Sequence, residues 1–218
     1  MTDGELRQDV IHALEFEPSV DAAHIGVTAE KGVVTLSGHV VSYAEKLAAE
    51  DVARRVKGVR AIAQEIEVRY PDHKRTGDDE IAERAVKILA WSCEVPADAV
   101  SVTVQKGWVT LAGKVGWQYQ KKAAEDAVHK LSGVIGVINR IAIEPAVTAP
   151  DVKEKIEAAL TRHAQIEADA IRVSVFDGSK VLLDGVVDSL DAREAAEKAA
   201  WSVAGVQSVD DQLTVVPY

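Results

Sequence analysis

The string GVVTLSGHV at Gly32 to Val40 recurs as GWVTLAGKV at Gly107 to Val115 and, in degraded form, as SKVLLDGVV at Ser179 to Val187. Registering the copies on the glycine near the end of the string aligns Gly38, Gly113 and Gly185, and a second series, Gly58, Gly133 and Gly205, falls in with the same offsets. The steps from residue 38 to 113 and from 113 to 185 exceed the roughly 20–50 residues of a solenoid repeat, so the units are tandem domains rather than stacked single elements. We expect domains at residues 1–72, 76–146 and 149–218. The joints YPDHKRTG and EPAVTAP carry the proline and polar residues that stop helices and strands.

Each copy opens with apolar residues at helical spacing: Leu6, Val10, Ala13 and Leu14; Ile81, Ala85, Ile88 and Leu89; Val152, Ile156, Ala159 and Leu160. A period-two strand follows, with Ile25, Val27 and Ala29, then Val100, Val102 and Val104, then Ile171, Val173 and Val175 on one face. The tight connections EKG, QKG and FDGS turn the chain into a second strand whose inward residues are Val34 and Leu36, Val109 and Leu111, and Val181 and Leu183. Gly32 and Gly107 serve that turn. Gly38, Gly113 and Gly185 are expected to release the chain from the strand end toward a second helix, which starts near Ser42, Trp117 and Ser189. Gly58, Gly133 and Gly205 are expected to stop that helix from the C′ position. A last strand completes an αββαβ unit. The fold class is α+β, each unit a three-stranded mixed sheet packed by two helices.

A glycine-rich phosphate loop would need several backbone N–H groups delivered to a helix N-terminus. Gly107 and Gly113 are instead separated by an apolar strand, so GWVTLAGKV reads as scaffold.

The GxVTLxGxV strand, the helix with its Ala-Ala-Glu centre and the GVxxVxNxIxV ending closely resemble the BON domain, found in bacterial osmotically inducible and nodulation-type proteins. Three tandem copies cover almost the whole chain. The matching residues are Gly32, Val34, Leu36, Gly38, Gly58 and Val59 in the first, and Gly107, Val109, Leu111, Gly113, Gly133, Val134 and Asn139 in the second. The third departs, with Ser179 and Asp184 at motif positions and Asp211 where Asn139 sits. The resemblance implies a non-enzymatic module attached to envelope or stress-protection proteins and in contact with phospholipid. A relative linked to potassium sensing makes cation or small-ligand sensing through inter-domain clefts the alternative.

Composition excludes several classes. The net charge of −10 opposes nucleic acid phosphates. It divides as −3, −1 and −6 over residues 1–75, 76–150 and 151–218, from 10 basic against 13 acidic, 8 against 9 and 7 against 13. The middle third is least repelled by an anionic surface. The single Cys93 removes disulfide frameworks and cysteine-rich zinc sites, and the six histidines form no i, i+3 or i, i+4 pair, so no metal or cofactor is expected. No nucleophile, base and acid set recurs, and no catalytic residue is assigned. Cys93 reads as a small buried or half-buried thiol. The start MTDGELRQDV lacks the pattern of a secretory signal, so the chain as given reads as cytoplasmic, and as periplasmic if an upstream signal has been removed.

Two features remain as candidate sites. Lys46 and Glu50, Lys121 and Glu125, and Arg193 and Glu197 stand at i, i+4 on the second helices, where each pair would contribute about 0.2–0.5 kcal/mol. The second is aromatic: Trp91, Trp108, Trp117 and Tyr119 all fall in the middle copy. Alternation puts Trp108 on the outer sheet face, and Trp117 and Tyr119 open the second helix beside Lys114, Lys121 and Lys122. Tryptophan, tyrosine and lysine together suit a membrane interface or an envelope-associated partner, while packing between neighbouring domains, from which small domains gain, accounts for them slightly better. The oligomeric state is left open by the sequence, since exposed sheet edges can pair between chains.

Overall fold

A computed structural model describes residues 2–71, 76–144, 151–162 and 170–216. The αββαβ unit appears three times. The first contains α1 (Asp3–Phe16), β1 (Ile25–Glu30), β2 (Val33–Val40), α2 (Tyr43–Arg54) and β3 (Ala61–Val68). The second contains α3 (Asp78–Trp91), β4 (Val100–Gln105), β5 (Trp108–Val115), α4 (Gln118–Val128) and β6 (Gly136–Ile143). The third contains α5 (Val152–Thr161), β7 (Ile171–Phe176), β8 (Lys180–Val187), α6 (Leu190–Trp201) and β9 (Ser208–Val215). The middle strand of each sheet pairs antiparallel with the strand before it and parallel with the strand after it. The parallel pairing requires a crossover, and α2, α4 and α6 supply it.

The expected apolar sets build the cores. Leu6, Val10 and Leu14 of α1 meet Val34 and Leu36 of β2, and Ile81, Ala85 and Leu89 of α3 meet Val109 and Leu111 of β5. Val152, Ile156 and Leu160 do the same for Val181 and Leu183. The alanines of the second helices are fully buried at Ala49, Ala124 and Ala196, where a larger side chain would hold helix from sheet.

Several local expectations are corrected. Gly38, Gly113 and Gly185 do not end their strands, because β2, β5 and β8 run two residues further to the buried Val40, Val115 and Val187. Their function is close approach at positive φ: a Cβ on Gly113 would stand 2.0 Å from the Ala99 carbonyl oxygen, and on Gly38 and Gly185 2.1 Å from those of His24 and Ala170. Nor do Gly58, Gly133 and Gly205 cap the second helices. These helices stop earlier, at Arg54, Val128 and Trp201, and each glycine occupies the third position of a separate turn closed by hydrogen bonds such as Val59 N–H to the Val56 carbonyl at 3.2 Å. The third hairpin keeps its glycine. Phe176 pairs with Lys180 across a loop one residue longer than those joining Glu30 to Val33 and Gln105 to Trp108, which moves the glycine to Gly178, before Ser179.

Ser42 and Ser189 cap α2 and α6, their hydroxyls accepting from Glu45 N and Ala192 N, each at 3.1 Å. Tryptophan cannot do this at Trp117. There the side chain of Gln120 accepts the backbone N–H groups of Gly116 and Trp117, each at 3.1 Å.

Candidate functional site

The i, i+4 ion pairs expected on the second helices do not form, because the outer edge of each sheet competes for the same groups. Gln64, Asn139 and Asp211 occupy equivalent places on β3, β6 and β9. Each accepts the backbone N–H two residues on, from Ile66 at 3.2 Å, Ile141 at 3.1 Å and Leu213 at 2.9 Å. That covers an edge N–H otherwise open to another strand. The helix answers with complementary chemistry. Asn139 donates to Glu125 at 3.0 Å, whereas Asp211 is acidic and draws Arg193 Nε to 2.6 Å. Lys46 donates to the Ile66 carbonyl at 2.7 Å, and Glu50 pairs with Arg54 at 2.7 Å. Glu197, released by the Asn-to-Asp change of the third copy, accepts from Trp201 Nε1 at 3.1 Å.

The three second helices also join the domains. Tyr43, at the start of α2, packs against the core of the second domain. Burial pushes its hydroxyl pKa up. Tyr70 donates its hydroxyl to the Val134 carbonyl at 2.8 Å. Leu190, at the start of α6, packs against the cores of both the first and third domains. Beside it Arg54 reaches Glu194 at 3.3 Å, and Glu194 also holds Lys198 at 2.6 Å. Lys198 and Arg54 keep the Glu194 carboxyl below the usual carboxylate range.

Clefts open where these helices meet. The α2–α4 cleft, about 850 Å³, contains Glu45, Asp51, Lys122 and His129. Burial lowers the His129 pKa, opposed by Asp126. The α4–α6 cleft, about 700 Å³, is aromatic, with Trp117 and Tyr119 on one side and Trp201 on the other. The Trp117 and Tyr119 ring centroids are 6.3 Å apart.

Of the six residues marked from sequence, the fold gathers Trp117, Tyr119 and Lys122. Lys114 is at the surface, ion-paired with Glu144 at 2.7 Å. Lys121 lies beside β6, its carbonyl accepting from Asn139 at 3.0 Å. Trp108 is on the outer sheet face as expected, but at the other end of β5 from Trp117. The eight residues of that strand span on the order of 25 Å at about 3.3 Å per residue. Its ring lies over Gly136, where a Cβ would come within 2.4 Å of it.

Trp201, not singled out from sequence, and Trp91, grouped with the middle copy's aromatics but given no role, join the picture. Trp201 faces Trp117 across the cleft. Trp91, the last residue of α3, is 90% exposed, as is Phe16 at the matching end of α1. Tyr119 shares a cleft with Ile88 and Ser92 at this end of α3. The recurrence of an aromatic residue at 16 and 91, one repeat apart, was the available signal. Cys93, expected to be at least half-buried, is exposed two residues beyond the helix.

Among the described residues no cluster of three or more His, Cys, Asp or Glu side chains is placed to hold a metal ion, and no helix is long and apolar enough to cross a membrane.

Three copies of a two-helix, three-stranded mixed sheet with this glycine pattern define the class: the chain belongs to the BON domain family, whose profile matches residues 2–70, 77–145 and 148–217. It is 34% identical over 146 residues to the osmotically-inducible protein Y of Escherichia coli strain K12, covering 64% of this chain and 71% of that protein. It is 33% identical over 95 residues to the outer membrane lipoprotein DolP of Haemophilus influenzae, covering 40% of this chain and 49% of the lipoprotein, about half its length. A solved structure of CdsD, a structural protein of the type III secretion system of Chlamydia trachomatis, aligns over 98% of this chain and 93% of that one. Its sequence identity is 18% and its TM-score 0.27, too low to bear on fold or function.

Proposed function

We propose that this is a non-catalytic protein of the osmotic-stress and envelope type that binds a phospholipid surface through the aromatic edge of its middle domain. The observation that carries the reading is Trp91, 90% exposed at the end of α3, in the same domain as the exposed Trp117 and Tyr119 of α4, beside which Lys122 adds positive charge. Burying a large ring stabilises association by about 1.5–3 kcal/mol, and indole and phenol rings suit the headgroup boundary. The middle third also has the smallest net charge, −1, so the acidic remainder of the chain opposes approach least there. Similarity to an osmotically inducible protein and to an outer membrane lipoprotein supports an envelope setting over a cytoplasmic one.

Co-sedimentation with vesicles of phosphatidylglycerol and of phosphatidylcholine tests this. The wild type is expected to sediment with vesicles, and Trp91→Ser with Tyr119→Ser to remain in solution. Equal sedimentation of the two proteins would contradict the assignment, and no sedimentation with either lipid would end the lipid reading.

A further inference from the structure

The α4–α6 cleft has a composition that a membrane surface does not account for. Its volume of about 700 Å³ lies within the range of small-molecule sites. Its charged groups fall into two sets. Glu194 is satisfied by Lys198 and Arg54, at 2.6 and 3.3 Å. Glu197 and Lys122, in contrast, make no ion pair among the described residues, and Glu197 receives only the neutral indole N–H of Trp201 at 3.1 Å. One carboxylate and one ammonium are therefore left over in a cleft walled by Trp117, Tyr119 and Trp201. Gln118, which also lines it, carries the one buried side-chain nitrogen or oxygen among the described residues without a hydrogen-bond partner, its Oε1. A buried carbonyl without a donor lowers stability, and a ligand N–H that reached it would recover that loss.

We propose that this cleft binds a free amphiphilic zwitterion whose ammonium group meets Glu197, whose acidic group meets Lys122 and whose apolar body lies between the rings. Indole faces attract ammonium groups, and the Trp201 N–H holds the Glu197 carboxylate at the edge of that ring, within the same cleft. A donor on the ligand that reaches Gln118 supplies the hydrogen bond its Oε1 lacks. Because the walls come from two domains, the bound ligand also strengthens their docking by mass action.

The test is titration of the full chain with L-phenylalanine, followed by the NMR signals of the four indole N–H groups. Trp117 and Trp201 are expected to shift saturably, while Trp108, remote on the outer sheet face, does not. Phenethylammonium lacks the acid and 3-phenylpropionate the ammonium, and each is expected to bind about fivefold more weakly. Glu197→Gln and Lys122→Met, both changes at accessible side chains, are each expected to weaken L-phenylalanine by a similar factor. Gln118→Leu is expected to raise the thermal midpoint and weaken binding together, a pairing that a purely structural residue does not produce. The proposal is overturned by no saturable shift at millimolar L-phenylalanine, by equal affinity for the three probes, or by an affinity that survives both charge substitutions. An ethanolamine phospholipid headgroup carries the same two charges, so shifts caused by vesicles of that lipid but not by L-phenylalanine would overturn assignment to a free ligand. Trp91→Ser, which leaves the cleft intact, separates this site from vesicle binding.

Discussion

The hydroxyl of Tyr70, at the end of the first domain, donates to the carbonyl of Val134 in the second at 2.8 Å. The acceptor belongs to the turn that contains Gly133, so one domain is fastened to a turn found in every copy. Tyr70→Phe removes the donor and leaves the carbonyl short of a partner, at a cost of about 1 kcal/mol. Calorimetry on the full chain should show the first two domains unfolding less cooperatively, with secondary structure unchanged.

Gly113→Ala should be far more damaging than its size suggests. The new Cβ would fall 2.0 Å from the Ala99 carbonyl oxygen at a φ of 145°. Strain of this kind costs on the order of 3 kcal/mol. Urea unfolding should place the loss in the second domain, and Gly38→Ala and Gly185→Ala should do the same in the first and third.

Asn139→Asp converts a donor into a second carboxylate beside Glu125, at the 3.0 Å contact now made by the amide. Like charges raise the folded-state pKa of one of the pair, so the folded protein binds more protons than the unfolded one and stability rises as pH falls. The variant should be destabilised by about 1–3 kcal/mol at pH 7 and recover much of that near pH 4. Adding Glu125→Gln should restore it at neutral pH.

Glu194 of α6, held by Lys198 of its own helix and by Arg54 of the first domain, should show the opposite pH dependence. Lys198, then Arg54, depress the Glu194 pKa below its unfolded value. The stability this contributes is therefore complete above the unfolded pKa, near 4.3, and is lost as pH falls through the lower folded value. With Glu194 and Arg54 about one third exposed, the effect is small, about 0.5 kcal/mol. It should vanish in Glu194→Gln when unfolding of the third domain is followed between pH 5 and pH 3.

Vesicle binding by a chain of net charge −10 must rely on insertion of aromatic rings against an unfavourable overall field. Raising salt screens that field. Binding should strengthen between low and physiological ionic strength, and a steep loss instead would indicate attachment through the lysines alone.

The repeat made the architecture legible because its signals are local. Apolar spacing in α1 and α3, alternation in β4 and the glycine series each depend on neighbours within a few residues. Motif matching alone misplaced the role of Gly113, since the carbonyl of Ala99 that demands glycine there comes from the residue just before the adjoining strand β4. The candidate site was legible only in part. Trp117, Tyr119 and Lys122 are near one another in sequence, but Trp201 reaches them through domain docking, for which no periodic pattern exists. Trp108 shared their composition and not their location, because a full strand separates it from Trp117.

Quenching of tryptophan emission by brominated phospholipid acyl chains, measured on variants that each retain one tryptophan, tests the proposed membrane contact most directly. The Trp91-only protein should be strongly quenched on vesicle binding, with Trp108-only and Trp201-only unaffected. Quenching of Trp108 without Trp91 would place the contact on the outer sheet face and contradict the account.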